Sequence, residues 1–137
     1  MKVRQAMSSA PKAVRPETPV AEAAQLMKSE DVGSLPVVEN GGQVVGMVTD
    51  RDIVIRAVAT GGDLSTKTVA DVASRDVEIV RPDQDLDEAL RLMALRRVRR
   101  LPVVEEGRLV GILAQADVAK EAPGHKTGEV VGEISKG

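Results

Sequence analysis

The sequence predicts an α+β protein in which two β-α-β-β-α units follow each other in tandem. Three observations predict this fold class. The chain repeats itself at a fixed spacing, its apolar residues alternate between strand-like and helical periods, and its composition is that of a globular protein.

The internal repeat is the strongest of these signals. Residues 14–41 align with residues 80–107 at a shift of 66, and 14 of the 28 aligned positions are identical. One residue is then lost at a turn, where Gly41 and Gly42 correspond to Gly107 alone. The match resumes at a shift of 65, with "QVVGMVTDRDIV" against "RLVGILAQADVA". The chain is therefore a tandem duplication.

The duplication sets the predicted domain organisation. We divide the chain into repeat 1 at residues 1–64, repeat 2 at residues 65–122 and a C-terminal tail at residues 123–137. One repeat of about 60 residues buries too little surface to be stable alone. We therefore expect the two copies to pack against each other as a pseudo-two-fold pair.

Each repeat begins with a β-prone run and a helix. The runs "KAV" and "VEIV" precede Pro16 and Pro82. In repeat 1, Thr18 is the predicted N-cap, with Pro19 at the first helical position. In repeat 2, "DLDE" predicts a capping box. One apolar stripe at helical spacing follows in each repeat: Val20, Ala23, Ala24 and Met27 in the first, and Leu86, Ala89, Leu90 and Met93 in the second.

A β-hairpin and a second helix complete each repeat. The runs "SLPVVE" and "QVVGMV" flank the turn "NGG", while "RLPVVE" and "RLVGIL" flank "EG". Glycine-containing turns between β-prone runs are a strong hairpin signal. The stretch "DRDIVIRAVAT" predicts the second helix of repeat 1, which ends at the two glycines 61 and 62.

Composition excludes several classes of function. The chain has no Cys, so disulfides, thiolate catalysis and zinc–cysteine sites are excluded. No nucleophile–base constellation is visible, and we expect the single histidine, His125, to be a surface residue and not a metal ligand. The stretch before residue 18 lacks the apolar core of a signal peptide, so the expected location is the cytoplasm, with no membrane partner.

Thr49 and Asp52 stand at the start of the predicted second helix of repeat 1. Their spacing resembles a capping box, although the usual partner of the N-cap hydroxyl is Glu or Gln. The same residues follow a glycine-containing strand, and the N-terminus of a helix attracts phosphate. Capping and ligand binding remain alternatives here, and both functions are compatible in one pair of side chains.

The tandem "LPVV" hairpins, followed by "VVGMVTDRDI", resemble the cystathionine-beta-synthase (CBS) domain pair, also called the Bateman module. The resemblance covers residues 3–120 and is closest to free-standing bacterial CBS-pair proteins. It implies a regulatory protein without catalytic activity, which needs no cofactor. It also implies a disc-like homodimer that binds AMP, ADP, ATP, NAD or S-adenosylmethionine in clefts between the copies, and a protein partner not yet identified.

The family motif is a glycine, two apolar residues, a hydroxyl residue and an aspartate three positions later. Gly46, Thr49 and Asp52 match it, which implies that Thr49 contacts phosphate and that Asp52 binds the ribose hydroxyls. In repeat 2, Asp117 matches the aspartate, but Ala114 replaces the hydroxyl residue. The resemblance therefore implies two related sites, of which only the first has the complete motif.

The resemblance also implies contacts to the adenine ring and to phosphate. The adenine positions correspond to Lys12, Ala13 and Val14 in the first β segment, and to Leu35 and Pro36 in the hairpin. Basic residues before the "LPVV" of one copy contact phosphate in the opposite site. Arg99 and Arg100 occupy those positions in repeat 2, which makes the expected set of residues asymmetric.

Two alternatives come from other classes of function. The first is a structural or interaction dimer with vestigial ligand sites, which the loss of the hydroxyl at Ala114 favours. The second is a nucleic-acid binder that uses the basic patch at residues 96–100. The net charge of −2 and the absence of aromatic residues for base stacking argue against it.

Overall fold

The computed structural model describes residues 1–121, with the burial of side chains described through Val118. The predicted tail at residues 123–137 and His125 lie outside the described residues. The elements are α1 (Val3–Ala6), β1 (Ser8–Ser9), α2 (Val20–Glu30), β2 (Ser34–Glu39), β3 (Gln43–Thr49), α3 (Asp50–Ile53), a π-helical segment (Val54–Val58), α4 (Val69–Val72), α5 (Leu86–Arg96), β4 (Arg100–Glu105), β5 (Arg108–Ala114) and α6 (Gln115–Glu121).

The described chain forms two compact units. Residues Lys12–Val77 form the first, which we call the Thr49 unit, and Met1–Pro11 together with the residues from Glu78 onward form the second, the Asp117 unit. These units are offset from the repeats, because the segment that precedes each repeat's first β-prone run packs on the hairpin of the other repeat. The division at residues 1–64 and 65–122 stays a prediction about the repeats.

Each unit contains one antiparallel hairpin, as the sequence predicts. In the Thr49 unit, β2 pairs with β3, with Ser34 opposite Thr49 at one end and Glu39 opposite Gln43 at the other. In the Asp117 unit, β4 pairs with β5 from Arg100–Ala114 to Glu105–Arg108, and β1 pairs with the other edge of β5. The residues of both hairpin turns have positive φ. The two hairpins pair in equivalent registers, although the second turn is one residue shorter.

The first predicted strand of each repeat is reduced to a single bridge. Val14 pairs in parallel with Val37, and Val80 pairs with Val103. The Val14 N–H donates to the Pro36 carbonyl over 3.0 Å, and the Val14 carbonyl accepts from the Val38 N–H over 2.8 Å. The prolines that follow two residues later have no N–H to extend the ladder. The prediction of a β-prone run here was right in position but too long.

The starts of α2 and α5 differ in detail from the sequence predictions. The N-cap of α2 is Pro19 and not Thr18, since the Thr18 hydroxyl accepts from the Arg15 N–H over 3.0 Å. Asp85 is the N-cap of α5, as predicted, and accepts from the Asp87 N–H. The predicted capping box is wrong, because the Glu88 carboxylate accepts from the Gln84 side chain instead.

An aliphatic core fills each unit. The predicted helical stripes supply much of it, and α1 or α4 closes it with residues from the neighbouring repeat. Among the described residues, no helix combines the length and the hydropathy that a membrane span requires. The core of the Thr49 unit contains Val14, Val20, Ala23, Met27, Leu35, Val37, Val48, Ile53, Ala57, Val69 and Val72. The core of the Asp117 unit contains Val3, Ala6, Val80, Leu86, Ala89, Leu90, Met93, Leu101, Val103, Leu113 and Val118.

Candidate functional site

The turn from β3 into α3 contains a reciprocal capping box. The Thr49 hydroxyl oxygen accepts from the Asp52 N–H over 3.0 Å, and the Asp52 carboxylate accepts from the Thr49 N–H over 3.0 Å. Both side chains are partly buried. The capping role that the spacing suggests is therefore confirmed, with Asp in the place of the usual Glu or Gln.

Capping leaves binding capacity at this turn. Within residues 1–121, the Thr49 hydroxyl donates no hydrogen bond, and Asp52 uses one carboxylate oxygen, Oδ2. A hydroxyl donor beside the positive end of a helix suits a phosphate, and a carboxylate oxygen suits a sugar hydroxyl. The turn is thus chemically able to serve as a cap and as a ligand site at once.

The helix that follows this turn changes its winding after one turn. α3 spans Asp50–Ile53 and continues as the π-helical segment Val54–Val58, where the Ala59 N–H donates to the Val54 carbonyl. At its end, the Lys67 ammonium donates to the Ala57 carbonyl and the Thr60 hydroxyl, both over 2.8 Å, and to the Gly61 carbonyl. A cation at the negative end of the helix is electrostatically favourable.

Gly46 has a packing role that the sequence did not reveal. Met47 and Ser74 exchange two backbone hydrogen bonds of 2.9 Å, so the chain crosses closely over β3. A Cβ at Gly46 would lie 2.7 Å from the Ser74 carbonyl oxygen. Gly111 has the same role in the other unit, where a Cβ would lie 2.8 Å from the Ser8 carbonyl oxygen. A ligand contact of Gly46 stays a prediction.

The residues expected near adenine divide into buried and accessible ones. Val14 and Leu35 are 5% and 2% exposed, and Pro36 is also buried. Lys12 is exposed and Ala13 is half-buried. The backbone N–H and carbonyl of Val14 already bond to β2, so they are not available to a ligand. Lys12 and Ala13 are the two residues of this group with accessible side chains. The adenine contacts themselves stay predictions.

The corresponding turn of the Asp117 unit is built differently. Ala114 is 4% exposed and has no hydroxyl to cap α6. The Asp117 carboxylate accepts from the Ser8 hydroxyl over 2.9 Å. The side-chain oxygen of Gln115 is buried without a hydrogen-bond partner among the described residues. The second aspartate therefore serves the contact between β1 and α6 in this structure.

The structure places Arg99 and Arg100 in the Asp117 unit. Arg100 lies directly opposite Ala114 in the β4–β5 register, and the Arg99 carbonyl accepts from the Gln115 N–H over 2.9 Å. In the other unit, Ser34 lies opposite Thr49. The predicted phosphate contacts of Arg99 and Arg100 in the opposite site stay predictions.

Sequence reasoning missed Ser8, Ser74 and Lys67. Ser8 and Ser74 cross the two hairpins at equivalent glycines, and Lys67 holds the end of the helix that Thr49 begins. A signal for the serines existed. Continuing the 66-residue shift backward aligns "VRQAMSSAPKAV" with "VADVASRDVEIV", which places Ser8 on Ser74. No pattern in the sequence pointed to Lys67.

The hairpins, their crossing segments and the capped turn define a tandem pair of CBS units. The family model for the CBS domain matches residues 3–58 and 69–124, more than half of the chain, so the chain belongs to the CBS domain family. The resemblance inferred from the sequence is thereby confirmed.

Two relatives illustrate the similarity along the chain. The sequence is 42% identical over 103 residues to hypoxic response protein 1 of Mycobacterium tuberculosis, covering 75% of this chain and 72% of that protein. It is 43% identical over 117 residues to the CBS domain-containing protein YhcV of Bacillus subtilis, covering 85% and 82%. Both relatives match over most of their own length.

Solved structures have the same fold. A crystal structure of hypoxic response protein I with two coordinated zinc ions superposes with a TM-score of 0.83 at 36% identity, covering 90% of this chain and 100% of that one. CBSX2 in complex with AMP superposes with a TM-score of 0.76 at 31% identity, covering 87% and 93%. The CBS domain pair of MJ0100, in complex with 5′-methylthioadenosine and S-adenosylmethionine, superposes with a TM-score of 0.78 at 25% identity, covering 88% and 98%.

Proposed function

We propose that this chain is a regulatory module without catalytic activity, which binds an adenosine-containing ligand and signals through a homodimer. The observation that carries the proposal is the Thr49–Asp52 turn. It has the complete family motif, and it retains a hydroxyl donor and a carboxylate oxygen after capping α3. The AMP complex of CBSX2 and the S-adenosylmethionine complex of MJ0100 support the ligand class.

The proposed binding mode assigns a role to each group of residues. The Thr49 hydroxyl and the N-terminus of α3 hold phosphate, and Asp52 accepts the ribose hydroxyls. Lys12 and Ala13 contact the adenine by their side chains, with Val14, Leu35 and Pro36 as the buried support beneath it. Arg99 and Arg100 add positive charge for phosphate, and Asp117 anchors the ribose in a weaker second site.

The proposed homodimer has support in an exposed apolar stripe. Val54, Ile55 and Val58 are 54%, 51% and 52% exposed on the π-helical segment. Val54 and Val58 are four residues apart and so are neighbours on the helix surface, and Ile55 follows Val54 directly. Exposed apolar residues grouped in this way support a protein contact. A ligand with unequal affinity for two packings of the module would shift the population between them and change the surface offered to a partner.

We include no metal in this proposal, although the hypoxic response protein I structure contains zinc. The sequence has no Cys and a single His. Residues 1–121 contain no cluster of three or more His, Cys, Asp or Glu side chains suited to a metal ion. The donor set of residues 1–121 therefore does not fit a zinc site. Cytoplasmic location stays a prediction.

A thermal-shift and calorimetric titration tests the proposal. Purified protein is titrated with AMP, ADP, ATP, NAD and S-adenosylmethionine, with GMP as a base-exchanged control. A ligand that binds the folded state raises the melting temperature in a concentration-dependent way. We expect stabilisation by at least one adenosine-containing ligand. No stabilisation by any of the five would refute the ligand-binding function.

Two observations on the Asp117 unit favour a second candidate, an interaction dimer with vestigial sites. Ala114 lacks the hydroxyl, and Asp117 already accepts from Ser8. This candidate predicts a dimer that is insensitive to all five ligands, so the same titration, combined with light scattering, separates the two functions.

A further inference from the structure

The Asp117 carboxylate has a hydroxyl partner within its own unit. Its Oδ2 accepts from the Ser8 hydroxyl over 2.9 Å, although 109 positions separate the two residues in sequence. Ser8 belongs to β1, where it pairs with Ile112 of β5. Asp117 lies in the first turn of α6, which follows β5 directly. The strand pairing therefore holds the serine beside the carboxylate.

A serine hydroxyl and a ribose hydroxyl are the same kind of hydrogen-bond donor. An ionised carboxylate only accepts hydrogen bonds, and it does so through two oxygens, which two neighbouring ribose hydroxyls can both use. In this structure the Ser8 hydroxyl uses one of them, Oδ2 of Asp117. Ser8 therefore makes the same contact that the proposed binding mode assigns to a ribose hydroxyl at Asp117.

The equivalent aspartate of the Thr49 unit has a different partner. Asp52 accepts from the Thr49 N–H over 3.0 Å, a bond that belongs to the cap of α3. Ser74, which aligns with Ser8, crosses β3 in this unit, but within residues 1–121 its hydroxyl makes no hydrogen bond to Asp52. Of the two motif aspartates, Asp117 is thus the one whose carboxylate holds a serine hydroxyl.

The contact between Ser8 and Asp117 can open without unfolding. Ser8 is exposed, and the pairing of its backbone with β5 does not involve the hydroxyl. Exposed side chains change rotamer rapidly, so the hydroxyl can leave Asp117 while β1 stays paired. One hydrogen bond of this kind corresponds to a factor of about five in an equilibrium constant. Ser8 is therefore strong enough to weaken a ligand at Asp117 but too weak to exclude it.

We propose that Ser8 is an intramolecular competitor of the ligand at Asp117, and that its hydroxyl takes the place of a ribose hydroxyl until the ligand displaces it. The inference rests on the proposed function, which assigns a ribose to Asp117, and adds a residue that sets the affinity of this second site. Ser8 and Ala114 weaken the site by different routes. Ala114 removes a phosphate contact, whereas Ser8 competes with the ribose.

Calorimetric titration of full-length protein with adenosine tests the competition. Adenosine has the ribose hydroxyls and no phosphate, so the missing hydroxyl at Ala114 does not affect the result. All variants carry Asp52→Ala, which removes the proposed ribose contact of the first site, so that the remaining binding reports on Asp117. Three changes are added to this background: Ser8→Ala, Ser8→Thr, which keeps a hydroxyl, and Ser9→Ala, a matched control on the same strand. Circular dichroism confirms folding.

We expect Ser8→Ala to tighten adenosine binding about fivefold, and Ser8→Thr and Ser9→Ala to change it little. A purely structural role of Ser8 predicts the opposite sign, because a less stable protein would not bind more tightly. Adding Asp117→Ala to the Ser8→Ala protein should abolish the gain, since the competition requires the carboxylate.

Unchanged or weaker binding by Ser8→Ala would overturn the competition, and so would a gain that persists without the Asp117 carboxylate. If the Asp52→Ala background binds no adenosine with or without Ser8, the ribose contact of Asp117 is refuted and the competition with it. The titration of the wild-type chain with AMP and the other four ligands tests the proposed function separately, because the first site does not depend on Ser8.

Discussion

The turns that follow the two hairpins began as copies of one sequence and now make different contacts. In the Thr49 unit, the hydroxyl and the carboxylate cap their own helix and, within residues 1–121, bond only to each other's backbone N–H groups. In the Asp117 unit, the hydroxyl is lost and the carboxylate bonds to Ser8, which comes from the segment before the first β-prone run of repeat 1. One turn is self-contained, and the other is tied to a neighbouring segment.

This difference distinguishes the residues that the fold requires, which both copies retain, from a residue proposed to bind a ligand, which only one copy retains. The hairpin register, the glycine crossing and the aliphatic core are the same in both units, so the duplication retains what the fold requires. The hydroxyl at position 49 is not required for that fold, since Ala114 occupies the equivalent place in a buried strand end. We attribute its presence in repeat 1 to capping and, as proposed, to phosphate binding.

The largest effect is expected at the feature that both units share. Gly46→Ala and Gly111→Ala should each destabilise the protein by roughly 1–3 kcal/mol, because the added Cβ overlaps a backbone carbonyl. Urea unfolding measures both, with Gln43→Ala on the exposed part of β3 as the control. A neutral effect at either glycine would show that the crossing segment moves away at little cost.

A smaller effect is expected where the turns differ. Thr49→Ala should cost about 1 kcal/mol of unfolding free energy through the lost N-cap, and Thr49→Ser should retain most of it. Chemical denaturation compares the two variants. Equal losses for Ala and Ser would mean that the methyl group, and not the hydroxyl, stabilises this turn.

The equivalent serines should respond unequally. Ser8→Ala removes the hydrogen bond to Asp117 and should cost about 1 kcal/mol. Ser74→Ala should change stability less, since the Ser74 side chain has no hydrogen-bond partner in the described part of the chain and its backbone bonds to Met47 persist. Thermal unfolding of the two variants checks this order, and a larger loss for Ser74→Ala would contradict it.

The smallest effect concerns a surface ion pair. Arg15 contacts Glu17 over 2.5 Å, whereas the equivalent Arg81 contacts Asp83 over 3.4 Å. The hydrogen bond from Arg15 lowers the pKa of Glu17. Because the folded-state pKa is depressed, the stabilisation is present above the unfolded pKa and is lost as pH falls through the folded one. NMR titration of Arg15→Gln should show the pKa of Glu17 rising towards its ordinary value; an unchanged pKa would contradict this cause.

The sequence predicted the fold well because its main signals are local or duplicated. The hairpins around "NGG" and "EG", the stripes of α2 and α5, and the Thr49–Asp52 cap all follow from short-range patterns. What it missed depends on long-range contacts. The crossing of Ser74 over Gly46, the bond from Ser8 to Asp117 and the triple donation of Lys67 join residues that no local period connects. The shortened first strands are an exception, since Pro16 and Pro82, which have no N–H to extend the ladder, are part of the local sequence.

The sequence predicted which residues form the candidate site but not the contacts that they make. The motif located Thr49 and Asp52, yet it did not show that capping uses one oxygen of Asp52. It also did not show that Arg100 lies opposite Ala114 in its own hairpin. In repeat 2 this register places the Arg100 cation opposite Ala114, whereas in repeat 1 the Ser34 hydroxyl lies opposite Thr49. Because a cation also attracts phosphate, Arg100 is the residue that most directly opposes a difference in phosphate binding between the two sites.

Calorimetric titration of AMP into Asp52→Ala and Asp117→Ala tests the central claim that repeat 1 holds the better site. Asp71→Ala is the matched control, because Asp71 caps α4 by the same bond, 2.9 Å to the Thr68 N–H, without belonging to the motif. We expect Asp52→Ala to weaken binding by about tenfold or more, as the loss of charged hydrogen bonds implies, and the other two variants to bind nearly as the wild type does. Equal weakening by Asp52→Ala and Asp117→Ala would contradict the claim.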